Sequence, residues 1–304
     1  MRNLLLSCVL FCISVYAHAA STHTDTVFTK RHDVRIFINR MVSAHHFNRK
    51  QLTQLFAQIK VKPQVLRALN KPAEKTTWRT YQTLFINTQR IENGLQFWDK
   101  HAAILKKAEQ QYGVPASIIV ATLGVETKYG ENMGRYRVID SLSSLAFSKS
   151  SRAHFFRNEL EQFLLLTREE KLNPLTVMGS YAGAMGQPQF MPSSYRRYAI
   201  HFSKSRRIDL MHNTTNVIGS IANYYHRCGW KLNEPVALPS RSATLVTSKT
   251  ALKTKLIALP IDHNHTMEYW VGFHNFDVIK RYNASNLYAM AVFQLSHSIE
   301  ALRE

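Results

Sequence analysis

The sequence predicts a mainly α-helical protein, α+β in class, with a small antiparallel β-subdomain inserted late in the chain. Three observations predict it. Apolar residues recur at helical spacing over 34–69, 91–111 and 116–129. Short β-prone stretches crowd between Trp230 and Asn275. The 304 residues are 45% hydrophobic, enough to fill the interior of one large domain or two modest ones.

The first residues stand apart from that fold. Met1–Asn3 carry one positive charge, Leu4–Tyr16 form an apolar run, and Ala17-His18-Ala19 has the small-x-small pattern of a signal-peptidase site. Residues 1–19 therefore read as a signal peptide, with the mature chain starting near Ala20. A transmembrane anchor is the competing reading, but the run is shorter than the roughly 18–20 apolar residues that span a bilayer. Leu5-Leu6-Ser7-Cys8 also has the form of a lipoprotein signal. Its cysteine comes early, with almost no apolar region before it, so a free periplasmic protein is expected and a membrane-anchored lipoprotein is the alternative. Cys8 and Cys12 both fall in the removed segment, which leaves Cys228 and no internal disulfide.

Residues 20–90 are expected to form an N-terminal helical region. Short helices there are marked by Ile36, Ile38, Met41 and Val42, then by Leu52, Leu55 and Phe56, with Pro63 and Pro72 as punctuation. Residues 91–230 form the main body. Ile91–Gln111 reads as a longer amphipathic helix whose stripe is Leu95, Phe97, Trp98, Ala102, Leu105 and Ala108. Gly113-Val114-Pro115 stops it, and Pro115 opens the next helix, where a missing N–H costs nothing. In the subdomain over 231–272, residues 236–238, 244–247, 256–259 and 269–273 read as strands. Residues 273–304 return to the core as a closing amphipathic segment.

Lys plus Arg number 39 against 20 Asp plus Glu, a net charge of +19, so the partner is expected to be anionic: nucleic acid, membrane surface or cell wall. A secreted destination and scattered rather than clustered basic residues argue against nucleic acid. Membrane contact is expected only if Cys8 is lipidated. Cell wall fits both facts.

Two segments carry chemistry. Along Ala116–Tyr129, Ile119, Leu123 and Glu126 fall at i, i+4 and i+7, so a carboxylate shares a face with aliphatic side chains. Two readings stand: a Glu bonded to a neighbouring helix or to Lys or Arg, and a general acid whose pKa burial lifts from about 4.3 to about 6. The second segment, Gly179–Tyr195, mixes glycines, neutral hydrogen-bonding groups and aromatics. It reads either as a sugar-binding loop or as a glycine-rich helix crossing. From Lys171 to Ile208 there is no Asp or Glu, although an ordinary glycosidase needs two carboxylates.

Tyr112-Gly113-Val114-Pro115, Gly124–Gly130, the Gly179–Tyr195 loop, Ile218–Tyr224, and Asn275-Phe276 with Arg281-Tyr282-Asn283 together closely resemble the lytic murein transglycosylase B family, over about 91–295. The resemblance implies a goose-lysozyme-like helical catalytic core with a long glycan groove. Carried over position by position, it implies Glu126 as catalyst and Ser180, Gln189, Tyr224, Tyr282 and Asn283 around the sugars; Tyr81 matches less securely. It implies cleavage of the β-1,4 bond between N-acetylmuramic acid and N-acetylglucosamine in peptidoglycan, with 1,6-anhydromuramic acid ends and no cofactor. A hydrolytic muramidase and a non-catalytic peptidoglycan-binding protein are the alternatives. Glycan strands are the implied partner, with cell-wall synthesis enzymes as neighbours. Some family members bind calcium through acidic ligands just after the Ser-Ser-Tyr segment, but here 201–209 is basic with Asp209 alone, so no metal is expected. His263, His265 and His274 read as a surface histidine cluster rather than a zinc site.

Overall fold

The computed structural model describes residues 28–70, 76–203, 207–241, 254–262, 264 and 266–303. The expected signal peptide with Cys8 and Cys12, the expected strand at 244–247, and His263 and His265 lie outside the described residues. From His32 onward the described residues form four short helices first: α1 (His32–His45), α2 (Arg49–Phe56), α3 (Pro63–Asn70) and α4 (Trp78–Phe85). Asn48 and Thr77 cap α2 and α4 by accepting from the N–H groups of Gln51 and Thr80, satisfying donors that a helix start leaves free.

The main body begins with α5 (Thr88–Tyr112), longer at both ends than the apolar stripe and kinked at His101 (φ −118°, ψ 18°). Gly113, at φ 67°, ends it in the left-handed conformation. After it come α6 (Ala116–Thr127), α7 (Val138–Ala146), α8 (Ala153–Glu169), α9 (Pro192–Tyr198) and α10 (Thr214–Arg227). From Ala116 to Val125 every residue of α6 is buried. The single apolar face read from Ile119 and Leu123 is therefore too narrow a description: a helix enclosed on all sides has no polar stripe to show. Helices α5 and α12 pack directly on it.

Among the described residues, two antiparallel sheets accompany the helices. One is a two-residue ribbon, β1 (Tyr136–Arg137) on β2 (Met178–Gly179), pairing Tyr136 with Gly179 and Arg137 with Met178. Runs this short carry no alternation, and the ribbon was not expected from sequence. The other has the order β3 (Ala237–Ser240), β5 (Met267–Gly272), β4 (Lys255–Pro260), with Leu238 and Leu256 both opposite Val271. The closing segment is two helices, α11 (His274–Tyr282) and α12 (Asn286–Ala301), broken at 283–285, where Ser285 caps α12. That break carries Asn283 to the surface of the core. Among the described residues no helix is long and apolar enough to cross a membrane.

Candidate active site

Glu126 sits in the last turn of α6, where Lys128 at φ 51° terminates the helix. Its side chain is partly buried and opens on a groove of about 510 Å³. Burial pushes its carboxyl up to about 7, and the one opposing influence is a hydrogen bond from Tyr288 Oη to Oε1 at 2.7 Å. The second oxygen has no hydrogen-bond partner among the described residues, and no Lys or Arg pairs with the group there. Of the two readings of Glu126, bonding to a neighbouring helix therefore occurs, through Tyr288 on α12, without a cation to hold the carboxylate ionised. At neutral pH a large fraction of Glu126 carries its proton.

The groove wall combines residues far apart in sequence: Ser180, Gln189, Tyr224, Tyr282 and Asn283 all line it with Glu126. Within the Gly179–Tyr195 loop, bridges pair Gly179 with Met185 and Met185 with Phe190. Gly186 is required there, at φ 72°, because a Cβ would lie 2.6 Å from the Leu210 carbonyl oxygen. Gln189 is held at φ 48°, a rare conformation for a non-glycine residue, and its Nε2 donates to Gly186 O (2.9 Å) and Met133 O (3.1 Å). Its amide oxygen remains to accept from a ligand. Ser180 Oγ accepts from the N–H groups of Ala182 and Ala184, which leaves its own proton to donate.

Tyr224 and Tyr282 contribute differently from what their hydroxyls suggest. Tyr224 Oη donates to Arg281 O at 2.6 Å and Tyr282 Oη to Pro188 O at 2.5 Å, so both hydroxyls pin backbone and the rings supply an apolar wall. Those rings lie 4.7 Å apart between centroids, and Phe190 packs at 5.6 Å from each. Tyr81, on α4, is not among the residues lining the cavity of about 510 Å³, but it lies near enough to Glu126 to feel its charge. It packs against Trp78 and Phe85, and its hydroxyl is pushed up to about 12 by burial and by the charge of Glu126.

The structure adds residues that sequence reasoning missed. Tyr288 was inside a noted segment, but nothing in its spacing marked it as the partner of Glu126. Glu159 brings a second carboxylate to the groove from α8. It is 4% exposed, and its two oxygens accept from Ser193 N and Oγ at the start of α9. The acid-free stretch from Lys171 to Ile208 thus does not make the groove acid-free. Glu159 is committed to anchoring α9, whereas Glu126 keeps an oxygen for a ligand. In the segment compared with the family's calcium loop, Asp209 accepts from Met211 N, His212 N and His212 Nδ1, and residues 204–206 lie outside the described residues. A basic segment with one occupied acid does not suit calcium. His274 bonds Gly229 O at 2.7 Å.

A helical core with a glutamate that keeps one oxygen free in an open groove, walled largely by neutral donors, acceptors and aromatic rings, fits the class of glycan-cleaving enzymes that work by general acid catalysis. Comparison with known proteins narrows the class. The transglycosylase SLT domain model, SLT_2, matches residues 29–297. The chain is 37% identical over 307 residues to membrane-bound lytic murein transglycosylase B of Escherichia coli K12, covering 91% of this chain and 85% of that protein. The catenated lytic transglycosylase SltB1 of Pseudomonas aeruginosa superposes with a TM-score of 0.85 at 41% identity, over 91% of this chain and all of that one. SltB3 of the same organism, in complex with NAG-NAM-pentapeptide, gives 0.77 at 26% identity, over 88% of this chain and 79% of that one. The chain belongs to the transglycosylase SLT domain family, and it is a lytic transglycosylase with a lysozyme-like fold.

Proposed function

We propose that this enzyme cuts peptidoglycan between N-acetylmuramic acid and N-acetylglucosamine with Glu126 acting first as acid and then as base. The observation that carries the reading is the carboxyl of Glu126, held near neutrality by burial and open to the groove on one oxygen. Its proton passes to the glycosidic oxygen as the bond to the anomeric carbon breaks and positive charge develops there. The sugar's own 2-acetamido group stabilises that centre, so no protein nucleophile is needed. The C6 hydroxyl of the same ring then attacks, Glu126 takes its proton, and a 1,6-anhydro ring closes without water. The Ser180 hydroxyl, the Gln189 amide oxygen and the Asn283 amide are neutral groups suited to orient the acetamido and hydroxymethyl substituents. The Tyr224 and Tyr282 rings supply a face for a sugar ring. Among the groove acids, Glu159 is occupied by Ser193, which supports a one-acid mechanism.

Delivery to the periplasm fits the signal-peptide pattern read at 1–19. The E. coli relative is named membrane-bound. Mass spectrometry of soluble products from purified sacculi tests the reaction. Muropeptides lighter by one water than the hydrolysed forms, absent with Glu126→Gln, are expected. Reducing ends would mean a muramidase, and no release a binding protein.

A further inference from the structure

A second cavity borders the β1–β2 ribbon, lined by Arg137 of β1 and Met178 of β2. It has a volume of about 660 Å³ and is lined by Lys60, Lys62, Arg135, Arg137, Asp140 and Met178, among others. Its one acid among the described residues is already spent. Asp140, 1% exposed, receives Arg137 Nε and Nη2 at 2.8 Å each and the main-chain N–H of Lys60 at 2.9 Å. Arg137 and Asp140 thereby cancel. The side chains of Lys60, Lys62 and Arg135 form no ion pair among the described residues. Three unneutralised cations facing one cavity repel each other, and an anion relieves that repulsion.

Their placement is built by the fold. Lys60 N bonds Asp140 and Lys62 N bonds Ser144 Oγ at 2.9 Å, which ties the segment before α3 to α7 through main-chain groups and leaves both ammonium groups free. Arg135 follows Gly134, whose φ of 94° and approach to Gly179 leave 2.1 Å between an added Cβ and the Gly179 oxygen. Arg135 therefore leaves the backbone directly beside the ribbon. Met178 of β2 lines the cationic cavity and Ser180 lines the groove, so the two sites are separated by about 7 Å of strand.

We propose that this cavity binds the carboxylates of a peptide stem carried by the glycan strand in the groove. The inference rests on the peptidoglycan reading, because it takes its ligand to be an acidic peptide attached to the bound sugar. A five-residue stem extends to about 17 Å, more than the step of about 7 Å from Ser180 to Met178, so it reaches the cavity from a strand seated beside Ser180. A free anion of similar charge lacks that tether and gains no local concentration.

The test uses Lys60→Gln/Lys62→Gln/Arg135→Gln in the full chain. None of the three side chains supports the core, and the bonds to Asp140 and Ser144 come from the main chain. Arg137 is left alone because it neutralises Asp140. In a Glu126→Gln background, affinities are measured for soluble glycan strands bearing stems and for the same strands stripped of them, at low and high salt. The expected result is about tenfold weaker binding of stem-bearing strands at low salt, a difference that shrinks at high salt, with stripped strands bound as before. Equal loss on both strands overturns the proposal, as does no loss on either. Loss confined to vesicles containing anionic lipid overturns it in favour of a membrane surface. Wild-type product analysis on sacculi reports the underlying reaction separately, so failure of one reading is not mistaken for failure of the other.

Discussion

Glu126→Gln has a consequence for stability that follows from its burial and runs opposite to its effect on activity. The carboxyl moves from an ordinary value of 4.5 to about 7 in the folded chain, chiefly because burial penalises the charge. For an acid whose folded pKa is raised, the native state holds more protons than the unfolded state between those two values. Stability therefore falls as pH rises through that window and levels off above about 7. At about 1.4 kcal/mol per tenfold change in proton affinity, the full cost is about 3 kcal/mol. Glutamine keeps an oxygen for the Tyr288 hydroxyl and carries no charge to desolvate. The variant is expected to match the wild type near pH 4 and to exceed it by about 3 kcal/mol near pH 8. Urea denaturation at both pH values measures the difference, and thermal melting should show a gain of several degrees at the higher pH only. A gain that is the same at both pH values, or a loss confined to the higher one, would refute a carboxyl destabilised by burial.

Other perturbations separate the remaining parts of the site. Tyr288→Phe removes the hydrogen bond that favours the ionised form, so the alkaline limb of the kcat/KM profile should move to higher pH; an unmoved or lowered limb would exclude Tyr288 from control of the proton. Gly186→Ala should cost at least about 2 kcal/mol from a left-handed backbone and a clash with Leu210 O, and should depress activity by releasing Gln189, read by thermal melting beside a sacculus-clearing assay. Calorimetric titration with calcium should show no tight site, since the one acid in 201–209 is already occupied by Met211 and His212; tight binding there would reverse that reading.

How much of this was legible in the sequence depends on the range of the interactions involved. The helical spacing around Ile119 and Leu123, the turn at Gly113-Val114-Pro115 and the glycines of the Gly179–Tyr195 loop are local signals, since a few adjacent residues restrict the backbone by themselves. They located α6 with Glu126 near its end, and the motif order tied them to a known family. The same local logic recognised β-prone runs near all three strands of the larger sheet but missed the two-residue ribbon, which exists because Gly134 and Gly179 approach each other across more than forty positions.

What tertiary structure alone decided is which charges are satisfied and which remain free. Tyr288 meets Glu126 across 162 positions, and that contact depends on how α12 packs on α6. Glu159 sits far from the loop it anchors, so a count of acids within one stretch could not place it in the groove. Lys60, Lys62 and Arg135 look like scattered surface charges until α7 and the ribbon gather them around one cavity whose only acid among the described residues is cancelled. A sequence records the kind of each group, and short-range sterics make much of the secondary structure readable from it. Desolvation and pairing depend on neighbours that only the packed chain supplies, and those two quantities decide whether a glutamate holds a proton and whether a cation needs a ligand.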